Sequence, residues 1–169
     1  MSQDKTVLIV DDDAINREIL KEAFEGSYSV IEASDGREAI DILREKPQEI
    51  GAVMLDLIMP VTDGFAVLEF MKTSHLDTDI PVVIITSDDS RDLQKRLSEY
   101  HICDLLNKPF LPMVILRRTR NFISLYAEKR EEMSALRAEI EMLRAENTQL
   151  YDKVRKYEKI LKDIHKKTL

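Results

Sequence analysis

Polar side chains of the kinds that bind metals and carry charge stand wherever an apolar run stops. Asp11, Asp12 and Asp13 follow TVLIV (6–10), Asp56 follows AVML (52–55), Thr86 and Ser87 follow PVVII (81–85), and Lys108 follows ICDLLN (102–107). Carboxylates gathered at one low-dielectric edge repel one another, and they stay ionised only where a cation joins them. An oxygen-only ligand set without histidine or cysteine points to Mg2+ or Mn2+. Such chemistry requires that four separate strand ends meet.

The elements that could bring them together are legible. TVLIV (6–10), YSVIEA (28–33), AVMLD (52–56), PVVIIT (81–86) and ICDLLN (102–107) read as strands. Helix-like segments lie between them near 14–25, 35–45, 63–73 and 89–100. The first, third and fourth strands are almost unbroken apolar runs, as expected of strands covered on both faces of a parallel sheet. Alternation of this kind predicts an α/β fold, a doubly wound five-stranded parallel sheet. In such a sheet ligands sit beyond the carboxyl ends of the strands, where the polar residues collect.

From residue 113 onward there is no Pro or Gly. A helix from about Pro112 to about His165 is roughly 80 Å long at 1.5 Å per residue, more than one compact domain can bury. Met133, Ile140, Asn147, Val154 and Leu161 fall at heptad position a, and Leu136, Leu143, Leu150, Tyr157 and Ile164 at position d. Phe122, Tyr126 and Lys129 continue the same seam upstream. Aliphatic a layers over leucine-rich d layers predict a parallel two-stranded coiled coil, and Glu132/Arg137 and Glu139/Arg144 flank the seam as attractive g–e pairs. Asn147 pairs with its own copy only in register. A helix folded back on its own domain would show a wider apolar stripe. The expected division is therefore a globular domain over 1–125 and a dimerisation helix over 126–169, continuous with the last helix of that domain.

Composition narrows the function classes. The chain has 169 residues, one cysteine (Cys103) and a net charge of -7. Residues 1–125 hold 14 Lys+Arg against 23 Asp+Glu, and residues 126–169 hold 11 against 9. An acidic globular part argues against direct nucleic-acid binding, and RRTR (117–120) is too short for a DNA-reading basic region. Neither a bilayer-spanning stretch nor a signal-peptide core is present, so a cytoplasmic location without membrane attachment is expected.

Taken in order, the acidic pair Asp11–Asp12, the aspartate of LDLIMPVTDG, the hydroxyl residue of IITS and the lysine of NKPF resemble the receiver domain of two-component response regulators, over residues 5 to about 125. The resemblance implies a flavodoxin-like sheet of order 2-1-3-4-5. It implies that Asp56 accepts a phosphoryl group from a sensor histidine kinase or phosphotransfer protein, and that Mg2+ is held by Asp12, Asp56 and the Ile58 backbone carbonyl, with Asp11 acting through metal-bound water. Lys108 and Thr86 would steady the phosphoryl oxygens, and a cis peptide before Pro109 would aim Lys108 inward. On this reading the chain is no enzyme beyond labelling itself from small phosphodonors and losing the group again.

The text departs from the family at HICDLLNKPF, with His101 and Ile102 at positions usually small and Leu105 where an aromatic usually swings inward as the Thr86 position closes. The switch pair here is thus Thr86 and Leu105, which puts the usual readout in doubt. Blander roles are expected for Asp13 and Asp63 as helix N-caps, for Pro60 in shaping a loop and for His101 at the surface. Two alternatives stand beside the receiver: a haloacid dehalogenase-like phosphatase using Asp11 and Asp13 as D-x-D, and a receiver-like dimeric scaffold without phosphorylation. The first lacks an acidic pair downstream, the next acidic residue after Lys108 being Glu128. In the family a helix like RRTRNFISLYAEKREEM often leads on to a further domain such as a cyclic-dinucleotide enzyme, so a longer chain and a stand-alone adaptor both remain open.

Overall fold

A computed structural model describes residues 5–60 and 62–167. The chain alternates β1 (Thr6–Val10), α1 (Ala14–Phe24), β2 (Ser29–Ala33), α2 (Gly36–Glu45), β3 (Ile50–Leu55), α3 (Gly64–Thr73), β4 (Val82–Thr86), α4 (Arg91–Leu97), β5 (Asp104–Asn107) and α5 (Pro112–Lys167). All five strands pair in parallel in the order β2-β1-β3-β4-β5, the doubly wound order expected.

Alternate side chains of the central strands supply two cores. Leu8, Val10, Val53, Leu55, Val82 and Ile84 face α2, α3 and α4, where Leu43, Val67, Met71 and Leu97 meet them. Val7, Ile9, Ala52, Met54, Val83 and Ile85 face the other side, against Leu20 and Phe24 of α1 and Ile115 and Ile123 of α5. Burial on both faces is the reason these strands read as continuous apolar runs.

Helix starts are set by side-chain caps, each removing an orphan N–H. Asp13 accepts from the Ile15 N–H at 2.8 Å, Asp63 from Ala66 at 3.0 Å, and Ser90 from Leu93 at 3.2 Å. Asp13 and Asp63 are thus caps, as expected. Most element ends lie within two residues of the reading of the sequence, β5 starting at Asp104 instead of 102, and two differences have a physical cause. β3 begins at Ile50 and runs through Gly51, where an added Cβ would lie 2.7 Å from Lys5 Cβ. That glycine permits a close approach instead of ending a strand. α4 spans only 7 residues because Ser90 caps it late and the chain turns at Ser98.

Gly64 is a second close approach. A Cβ there would run into the carbonyl oxygen of Asp56 and lie 2.8 Å from Leu57 Cα. Gly64→Ala is therefore expected to cost about 1–3 kcal/mol through overpacking, measured by urea unfolding. An unchanged midpoint would mean that the loop after β3 has slack.

The chain divides into two compact units after Ala127. In the unit from Glu128 onward, the described residues are helical and residues 131–165 are all exposed.

Candidate functional site

The carboxyl ends of β1, β3, β4 and β5 converge. Asp11 and Asp56 each follow the last residue of a central strand and are 1% and 5% exposed, while Asp12 is exposed. One carboxylate oxygen from each of Asp11, Asp12 and Asp56 lies within 4.8 Å of the others. Across from them, Lys108 Nζ donates to Asp11 Oδ2 at 2.8 Å and to Asp56 Oδ2 at 2.5 Å. The Lys108–Pro109 peptide is cis, and the Lys108 N–H donates to the Thr86 carbonyl at 2.8 Å, which carries the lysine from β5 over the end of β4.

Remaining lone pairs are accounted for one by one. Asp11 Oδ1 accepts from the Asp13 N–H at 2.9 Å and from Asn16 Nδ2 at 3.3 Å. Asp56 Oδ1 accepts from the Ile58 N–H at 3.0 Å. Thr86 closes β4 with no exposed surface, and its Oγ1 accepts from the Asp88 N–H at 3.2 Å. Leu105 is half-buried on β5, opposite Ile84, and packs on the α2–α4 side of the sheet. His101 is a surface residue, 74% exposed, with Nδ1 3.2 Å from Asp77 Oδ2.

Electrostatics follow from this crowding. Burial pushes the Asp56 carboxyl above the ordinary range, the neighbouring Asp11 adds to that push, and Lys108 and the Ile58 N–H pull against it. Burial works against the Lys108 charge, yet its hydrogen bonds to Asp11 and Asp56 outweigh burial and raise its pKa. Three carboxylates against one ammonium leave two negative charges uncompensated. An all-oxygen donor set with that deficit fits a hard divalent cation.

Residues 7–120 match the sequence model of the response regulator receiver domain. The chain belongs to this family. It is 30% identical over 117 residues to the phosphate regulon transcriptional regulatory protein PhoB of Pseudomonas aeruginosa, a match covering 69% of this chain and 50% of that protein. The chain thus spans about half the length of the relatives it matches. Among solved structures, the receiver domain of Francisella response regulator 1452 is similar with a TM-score of 0.64 at 25% identity, over 71% of this chain and 97% of that one. CheY in the CheX–CheY–BeF3–Mg complex of Borrelia burgdorferi is similar with a TM-score of 0.62 at 28% identity, over 69% and 87% of the two chains.

Receiver domains are signalling phosphoacceptor modules of two-component systems, and neither alternative reading gains support. Asp13, which the phosphatase reading needs as a D-x-D member, spends its carboxylate on capping α1. Among the described residues, no helix is long and apolar enough to cross a membrane. What sequence reasoning missed in this receiver domain are Asn16 and Arg17 on the first turn of α1. Arg17 Nη1 donates to the carbonyl oxygens of Asp11 and Asp12. The only available signal was an arginine six residues after Asp11, which is weak without the backbone.

Proposed function

We propose that this receiver domain accepts a phosphoryl group on Asp56 from a phosphohistidine of a sensor histidine kinase or phosphotransfer protein. The observation that carries the reading is Lys108 Nζ held between Asp11 and Asp56 at the mouth of the acidic cluster. Asp12, Asp56 and the Ile58 carbonyl would hold Mg2+ or Mn2+, with Asp11 acting through water. When bound, the cation neutralises charge gathering on the phosphoryl oxygens. An Asp56 carboxylate oxygen attacks phosphorus, the new O–P bond replaces the P–N bond, and the electron pair leaves with the imidazole. Lys108 then trades its hydrogen bond to Asp56 for one to the transferred group, and the Thr86 hydroxyl donates to another of its oxygens. Similarity to the Borrelia CheY, whose complex carries BeF3 and Mg2+, supports this reading.

Asp12 and Asp13 separate the ligand from the cap. Asp12→Ala is expected to weaken Mg2+ by more than the roughly 10–100-fold that losing an outer-shell partner costs. Asp13→Ala should lose only about 1 kcal/mol of stability as a missing N-cap. Calorimetric titration decides between them, and an equal or larger loss of Mg2+ affinity with Asp13→Ala would revive the D-x-D reading.

The helix from Met133 to Ile164 serves as a parallel homodimer seam. The nine apolar a and d residues from Met133 to Ile164 are each 41–66% exposed on the single helix, and Asn147 is exposed in line with them. Lys153/Glu158 adds a third attractive g–e pair to Glu132/Arg137 and Glu139/Arg144. Arg144 pairs with Glu141 of its own helix at 2.7 Å, but an exposed pair of this kind is worth well under about 1 kcal/mol and yields readily to a partner chain. Signalling then runs through the dimer to an output domain or partner, without direct contact to nucleic acid by these residues.

A further inference from the structure

Of the three clustered carboxylates, two are anchored by their own side-chain hydrogen bonds. Asp11 is held by the Asp13 N–H, Asn16 and Lys108, and Asp56 by the Ile58 N–H and Lys108. The Asp12 carboxylate has no such bond among the described residues, so what is anchored at this position is the backbone from which its rotamers start. That backbone is gripped by Arg17. Nη1 donates to the Asp11 carbonyl at 2.8 Å and to the Asp12 carbonyl at 3.2 Å. These two carbonyls belong to the peptide planes on either side of Asp12 Cα, and fixing both planes fixes the direction of its Cα–Cβ bond. The other edge of the guanidinium is tethered as well. Nε donates to Glu32 Oε2 at 3.3 Å on β2, and Lys21 Nζ holds Glu32 Oε1 at 3.2 Å. The Arg17 side chain is only 17% exposed.

We propose that Arg17 is a positioning residue for the metal, setting the direction in which Asp12 presents its carboxylate to the cation. The inference rests on the reading of Asp12 as a direct ligand. A planar fork suits this task in a way an ammonium does not, because its donors hold fixed angles to one another. Outer partners of metal ligands act in this manner generally. Glu32, shared with Lys21, offsets part of the Arg17 charge, which would otherwise oppose a nearby cation.

Charge and positioning predict opposite signs, and the 169-residue chain can be tested directly. Calorimetric Mg2+ titrations would compare wild type with Asp12→Ala, Arg17→Met, Arg17→Lys and Glu32→Gln. Removing a cation by charge alone tightens Mg2+ binding, whereas losing the grip on Asp12 weakens it. The expected result is about tenfold weaker binding for Arg17→Met, weaker binding for Arg17→Lys despite its retained charge, and a smaller loss for Glu32→Gln. With Mn2+ as the probe, paramagnetic broadening of the Asp12 amide signal should fall relative to that of Ile58 in Arg17→Met, which a general loss of stability would not produce. Wild-type or tighter Mg2+ binding by Arg17→Met, with Asp12→Ala still impaired, overturns the positioning role and leaves the ligand reading intact. Equal binding by wild type and Asp12→Ala overturns both. Should Arg17→Met fail to fold, Arg17→Lys decides, and wild-type affinity there overturns the inference.

Discussion

Asp56→Asn is expected to take up no phosphoryl group from acetyl phosphate and Mg2+ under conditions in which the wild type gains one, read by intact mass. Asparagine keeps the volume of Asp56 and the acceptor oxygen that receives the Ile58 N–H, so the fold should persist and a melting curve would verify it. What is lost is the nucleophile. An amide has no anionic oxygen to attack phosphorus. Asp11 is the competing candidate, but three donors (the Asp13 N–H, Asn16 and Lys108) hold its oxygens, against two on Asp56 (the Ile58 N–H and Lys108). Asp11→Asn should therefore retain slowed labelling. Labelling of Asp56→Asn equal to wild type, or its loss in Asp11→Asn alone, would move the nucleophile to β1.

Why so much of this fold and site could be read in the sequence is a matter of burial. Val7–Val10 and Val82–Ile85 are each no more than 1% exposed. A strand sealed on both faces must be apolar at every position, and the first polar residue then marks its exit into the site. Asp11, Asp56 and Thr86 are legible for that reason. The start of β3 was not, because Gly51 looks like a break in a one-dimensional text. Only the packed Lys5 side chain shows why a side chain is missing there. Arg17 was illegible for a different reason. It acts on main-chain carbonyls, which every residue possesses, so no pairing of residue types announces it. Leu105 lies between these cases. Its place on β5 was foreseeable, but its half-buried contact with the α2–α4 core shows only that leucine packs where it stands.

The helical extension should make the chain a parallel dimer at micromolar concentration with or without phosphorylation, and removing residues after Leu125 should leave mostly monomer. Burying a large apolar side chain is worth roughly 1.5–3 kcal/mol, and nine seam residues per helix stand exposed in the single chain. Ordering side chains and joining two bodies offsets much of this. No residue of the seam belongs to the acidic cluster, so phosphorylation should alter how the dimer is arranged and not how many chains it contains. Orientation follows from charge and from Asn147. In register, Glu132, Glu139 and Lys153 each face an opposite charge on the partner helix, and Asn147 meets its own copy, whereas an antiparallel pair centred between Asn147 and Leu150 sets Asn147 against leucine. Asn147→Leu should accordingly raise the melting temperature while admitting assemblies of more than two strands. Sedimentation of the unphosphorylated chain tests the first half, and a monomer there would refute it. If Asn147→Leu changes neither stability nor strand number, Asn147 lies outside the seam and the heptad register is wrong.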